Sequence, residues 1–132
     1  MHQEEVFVGI DVSKARLDIA VIPSGDANAF PNNEEGISLL VDLMKSLSPT
    51  LVVLEDTVGL EMASVGALAE SGIPVVAVNP RQVRDFAKAT GRLAKTDAIS
   101  AQVIARFGQA IRPQVRPTKD IETQDLAALS AR

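Results

Sequence analysis

The sequence predicts an α/β fold in which a mixed sheet of about five strands is flanked by helices, and three observations predict it. Two short runs rich in β-branched residues, "VFVGID" and "RLDIAVI", stand four residues apart near the start and read as a β-hairpin. Two later runs, "TLVVLE" and "PVVAV", are almost wholly apolar, as strands buried on both faces are. Between and after those later runs, apolar residues recur at helical spacing, which supplies the crossovers a parallel pair requires. With 132 residues and 46% hydrophobic content, the chain can build one compact domain with a real core and is too short for two.

Taken in order, the hairpin stops at Pro23-Ser24-Gly25, and "ANAF" supplies a third, weaker strand. Asn32 or Asn33 then caps a helix whose apolar positions Ile37, Leu40, Val41, Leu43, Met44 and Leu47 share a face; it ends before Pro49. "TLVVLE" delivers Glu55 to its carboxyl end. A second helix, roughly Leu60 to Ser71, ends at Gly72 ahead of "PVVAV". Asn79-Pro80 opens a third helix through about Thr90, with Gly91 as the stop. "TDAISAQVIARFGQA" makes a fourth, with Thr96 as its cap. The basic "IRPQVRPTKD", with two prolines, reads as a linker, and "IETQDLAALSAR" as the start of a further helix. Three antiparallel strands extended by parallel ones suit a ribonuclease H-like fold. In such open sheets ligands gather beyond the carboxyl ends of the strands, where Asp11 and Glu55 both project.

Composition narrows the chemistry. There is no cysteine, and the single histidine is His2, so a metal site must be built from oxygens. Oxygen donors select hard cations, so magnesium or manganese is the expected metal. No apolar run is long enough to span a membrane and the first residues lack the pattern of a secretion signal, so no membrane is expected and the location reads as cytoplasmic. The net charge of −4 is unevenly laid out. Residues 1–78 carry net −9, residues 79–119 carry net +7, and residues 120–132 carry net −2. A basic segment after an acidic half suggests a polyanion bound beside an acidic, metal-holding centre.

Asp11, Glu55 and Asp97 come from three separate elements that this fold can bring together. Phosphodiester chemistry uses such a set, because acids on rigid strand ends can hold the divalent ions that activate the attacking oxygen and stabilise the leaving one. Spacing alone leaves open that each acid only satisfies backbone groups at a strand end or helix cap. If a helix runs from Asp97 onward, Ser100 is the next residue on its face, a hydroxyl where a second carboxylate would complete a pair.

"GIDVSK", "LVVLEDTVGLE" and "VVAVNPRQVRDFAKATGRLAKTDAISAQVIA" resemble the transposases of the insertion sequence 110 type, the DEDD group whose N-terminal domain is RuvC-like. The resemblance covers about residues 5–109 and implies that Asp11, Glu55 and Asp97 are catalytic acids and metal ligands. The fourth acid of the family's K-T-D-x-x-D pattern falls on Ser100, a weak or lost ligand, and the usual Gly-Gly-Tyr reads Val58-Gly59-Leu60. It implies further that residues 1–110 form the RuvC-like domain, that 111–132 form a basic linker and the start of a helical connector, and that a C-terminal transposase domain carrying a serine nucleophile is absent. The partners implied are DNA, a structured guide RNA and, in the full-length protein, further copies of the same chain; this fragment alone would not cut DNA.

Arg81, Arg84, Lys88, Arg92 and Lys95 are spaced so that one continuous helix would place all five on a narrow face along a phosphate backbone. Lys14 and Arg16 read as the exposed hairpin turn. Four phenylalanines and no Trp or Tyr leave phosphates and duplex shape, rather than base stacking, as the main source of affinity. Phe86 and Phe107 are expected as core anchors, while Leu126 and Leu129 either start a dimer helix or fold back on the domain. Two other classes compete: a non-catalytic nucleic-acid-binding or dimerisation module, and a sugar-kinase or actin-like phosphotransferase lobe, for which no glycine-rich nucleotide site is visible.

Overall fold

The computed structural model describes residues 5–57, 59–91 and 100–115. Five strands and four helices follow one another as β1 (Phe7–Val12), β2 (Arg16–Ile22), β3 (Ala27–Pro31), α1 (Glu34–Leu47), β4 (Leu51–Glu55), α2 (Met62–Glu70), β5 (Val75–Val78), α3 (Pro80–Ala89) and α4 (Ala101–Ile111). They form one sheet of order β3-β2-β1-β4-β5. The first three strands are antiparallel, and β1–β4 and β4–β5 are parallel. The predicted mixed sheet of about five strands is therefore the observed one, third strand included.

Strand alternation divides the core into two layers. Val8, Ile10 and Val12 of β1, with Leu17, Ile19, Val52 and Leu54, pack under Leu40 and Met44 of α1 and Leu68 of α2. Phe7, Ile22, Leu51, Val53 and Val78 point the other way, against Val83 and Ala87 of α3 and Ile104 and Phe107 of α4. Phe107 is buried and meets half-buried Phe86 edge-to-face at 5.6 Å, so both rings anchor helices as expected.

Capping chemistry sets the helix ends. Asn33, not Asn32, caps α1, its side chain accepting from the Gly36 N–H, and Ser48 closes that helix with a left-handed backbone before Pro49. Asn79 caps α3 by accepting from the Arg81 N–H at 2.8 Å, with Pro80 behind it where no donor is needed. The fourth helix corrects the sequence. Its cap is Ser100 rather than Thr96, its body begins at Ala101, and the Ser100 hydroxyl accepts from the Val103 N–H. Ser100 itself is extended (φ −106°, ψ 164°), so it is not an interior residue of a helix running from Asp97. The described helix therefore starts at Ala101, and Asp97, with which Ser100 was expected to share a helical face, lies outside the described residues.

The basic helix ends where the sequence placed its stop. It ends at Ala89, and Gly91 adopts φ +72°, a left-handed turn that stops the helical register. Only Arg81, Arg84 and Lys88 of the five basic residues lie on α3; Arg92, Lys95, Thr96 and Asp97 lie outside the described residues, as do Leu126 and Leu129.

Candidate metal centre

The site is built from the sheet outward. Residues 7, 9 and 11 of β1 face α3 and α4, because 8, 10 and 12 are spent on the opposite layer. Parallel pairing matches Ile10 with Leu54, so Asp11 and Glu55 stand one register step further on, side by side near the carboxyl ends of adjacent strands and on one face. On the other side, antiparallel pairing sets Asp18 of β2 directly opposite Asp11. Three carboxylates thus line one row across β2, β1 and β4.

Helix α4 covers this face and is oriented by small residues. A Cβ on Gly9 would lie 2.1 Å from the Ala101 carbonyl oxygen and 2.3 Å from the Ala105 nitrogen, so the first turns of α4 rest on the bare backbone of β1. Further along, Gly108 abuts Val53 and Leu51, and the Arg112 guanidinium lies 5.0 Å from the centre of the Phe7 ring. The helix therefore runs antiparallel to β1, and its amino end, at Ser100, faces the strand carboxyl ends where Asp11 and Glu55 stand. The partial positive charge of a helix amino end favours carboxylates nearby.

The acids are electrostatically coupled. Burial raises the pKa of Glu55, the charge of Asp11 raises it further, and Arg84 of α3 opposes both. Asp11 is likewise raised by burial and then by Asp18, with Arg16 opposing. Asp18 is held in turn by Arg16, whose Nε donates to both of its carboxylate oxygens at 3.0 and 3.1 Å. Glu55 has no such support: its Oε2 is buried and has no hydrogen-bond partner among the described residues. A buried carboxylate oxygen without a donor is costly unless a cation satisfies it.

An all-oxygen donor set carrying excess negative charge fits a hard divalent cation, and the orphaned Glu55 oxygen fits one too. Among the described residues no three acidic or imidazole groups gather closely enough to hold a metal ion by themselves. Asp11 and Glu55 are brought together as expected, and a third ligand must come from elsewhere; Asp97 lies outside the described residues.

Arg81, Arg84 and Lys88 are exposed on α3, opposite its buried Val83 and Ala87, and none forms an ion pair among the described residues. Arg84 is near enough to Glu55 to oppose its upward shift. Two residues of the site escaped the sequence reading. Asp18 was legible in principle, since a hairpin with a short turn places it across from Asp11. Glu61, only 4% exposed, carries no local sequence signal of burial.

The sheet order, the acids on the carboxyl edge and the helix crossing them define a RuvC-like domain of the ribonuclease H class. Two solved structures share the fold. RuvC of T. thermophilus in complex with a Holliday junction substrate superposes with a TM-score of 0.57 at 18% identity, over 86% of this chain and 99% of that one. A second Thermus thermophilus RuvC structure gives a TM-score of 0.52 at 20% identity, over 80% and 96%. A DEDD transposase model of the insertion sequence 110 type matches residues 8–132, and the chain belongs to that transposase family. The pilin gene-inverting proteins of Moraxella lacunata and Moraxella bovis are each 27% identical to it over 135 aligned residues, which cover 97% of this chain. The chain spans 42% of the length of these curated relatives. Among the described residues no helix is long and apolar enough to cross a membrane.

Proposed function

We propose that this chain supplies the metal-binding acidic half of a DNA transposase or recombinase, with Asp11, Glu55 and Asp97 as ligands of magnesium or manganese. The observation that carries the proposal is the pair Asp11 and Glu55 on one sheet face, with the Glu55 Oε2 buried and unpartnered among the described residues. Asp97 precedes Ser100 by three residues, and three residues of extended chain span at most about 11 Å. Since Ser100 opens α4 at the acidic edge, that tether supports Asp97 as the third ligand. A bound divalent cation would polarise a phosphodiester and help activate the attacking oxygen.

The chain's own residues have separable roles. Asp11 and Glu55 hold charge on rigid strand ends, while Arg84 and Lys88 meet the phosphates of nucleic acid across α3. DNA is the proposed substrate, in keeping with the family and with the names of its gene-inverting relatives. Strand exchange by the whole protein, a structured guide RNA and assembly of several copies belong to the same proposal, and residues 1–132 alone bind metal without cutting DNA. One observation favours a non-catalytic nucleic-acid module instead: Ser100 already has structural work as the cap of α4.

Manganese titration separates the two. The unsubstituted chain should bind Mn2+ weakly, and Asp11→Asn and Glu55→Gln should each weaken that binding strongly, to a residual level that is still measurable, while the protein stays folded. Equal affinity in all three proteins would rule out the metal site.

A further inference from the structure

We infer, on the metal-site function proposed above, that Glu61 is a positioning residue that fixes the metal ligand Glu55 by clamping the chain two residues beyond it. Among the described residues no side-chain hydrogen bond holds the buried Oε2 of Glu55, so the aim of that carboxylate depends on its backbone. Up to that point the backbone is rigid: Glu55 pairs with Val78 of β5, and the Asp56 N–H donates to the Val78 carbonyl at 2.7 Å. Beyond Asp56 the ladder ends and the chain turns away through Thr57 and Gly59.

Glu61 takes over at that point. Its Oε1 accepts from the Thr57 N–H at 3.1 Å and from the Thr57 hydroxyl at 3.0 Å. Glu61 is the only buried charged side chain among the described residues, and it immediately precedes α2. Burying a carboxylate is unfavourable unless its partners compensate, and its partners are Thr57 and the Asp56 carboxyl, both in the chain leaving the ligand strand. A loop that needed only tying down could use a neutral acceptor. The charged acceptor makes stronger bonds, and groups that hold a ligand in place commonly change metal affinity by about tenfold to a hundredfold when lost.

The test is a cycle of substitutions read by Mn2+ affinity, followed through water-proton relaxation so that weak binding is still measured, at a temperature where every variant is folded. Glu61→Ala should weaken Mn2+ binding by about tenfold or more. Glu61→Gln keeps the acceptor oxygen and should restore affinity to within about threefold, since one uncharged acceptor replaces a charged one. In a Glu55→Ala background, Glu61→Ala should have no further effect, because the ligand it positions is gone. A loss of thermal stability in Glu61→Ala with unchanged affinity, or an equal loss of affinity with and without Glu55, would overturn the inference and leave Glu61 a structural anchor. Should Glu61→Ala fail to fold, Thr57→Val removes only the hydroxyl contact and should give a smaller loss that likewise vanishes without Glu55; no loss overturns the inference. An unsubstituted chain that binds no Mn2+ would overturn the metal-site function itself, a result distinct from these.

Discussion

Gly9 of β1 and Ala101 of α4 approach so closely that a Cβ on the glycine would stand 2.1 Å from the alanine carbonyl oxygen. The contact seats the amino end of α4 two residues before Asp11, and so decides what reaches the acidic edge. Gly9→Ala must displace backbone rather than a flexible side chain, and overpacking of this kind costs about 1–3 kcal/mol. The urea midpoint should fall accordingly, and Mn2+ binding should weaken because Ser100, to which the proposed ligand Asp97 is tethered, shifts relative to Asp11. Unchanged stability and affinity would mean that α4 does not rest on β1 as described.

Stability should depend on pH in a direction set by Asp11 and Glu55. Both have folded-state pKa values raised, chiefly by burial, so the folded protein holds their protons more tightly than the unfolded chain does. Their stabilising contribution is fully present below the ordinary carboxylate range near pH 4 and is lost as pH rises through the raised values. In chelator, Asp11→Asn and Glu55→Gln should therefore flatten the fall in stability above about pH 4. Saturating Mg2+ should do the same in the unsubstituted protein, by offsetting the same charges. Identical pH profiles with and without the two carboxylates would refute the assignment.

Ser100→Asp tests the fourth position with its cap preserved. Aspartate caps a helix about as well as serine, so folding stability should change by less than about 0.5 kcal/mol, whereas Ser100→Ala should cost about 1 kcal/mol. Mn2+ affinity of Ser100→Asp should rise by roughly tenfold, because oxygen-ligand sites are tuned by ligand charge. DNA cleavage by residues 1–132 should remain absent. Equal Mn2+ affinities would show that position 100 faces away from the acids.

Nucleic-acid binding should be sensitive to salt through α3. Arg84→Ala with Lys88→Ala should weaken binding to duplexes of any sequence and make the slope of log K against log salt shallower by about 2 units, one for each lost phosphate contact. Filter binding at several salt concentrations measures it. A slope identical to that of the unsubstituted protein would remove α3 from the interface.

Much of the architecture was legible because local rules decide it. Alternation in "VFVGID" and "RLDIAVI", the apolar runs ending at Glu55 and Val78, the cap Asn79 and a cap at Asn32 or Asn33 each reflect chemistry within a few residues, and the structure selects Asn33. The acidic pair was legible for the same reason, since strands of known direction must present their carboxyl ends together. The cap of α4 was misread: Thr96 and Ser100 are both capping residues by type, and only the helix packed on Gly9 selects the second. The stop of α3 was legible too, since Gly91 turns left-handed there, while Arg92 and Lys95 lie outside the described residues.

By itself, then, the sequence determined the strands, the helices, their order and the two acids at the strand ends, all of which follow from short-range periodicity and from side-chain chemistry. Only the tertiary structure decided that the amino end of α4 faces the acidic row and that Glu61 is buried against Thr57. Those relationships depend on register and on packing between segments distant in the chain, where excluded volume and the pairing of every backbone donor choose among arrangements that local preference leaves equal.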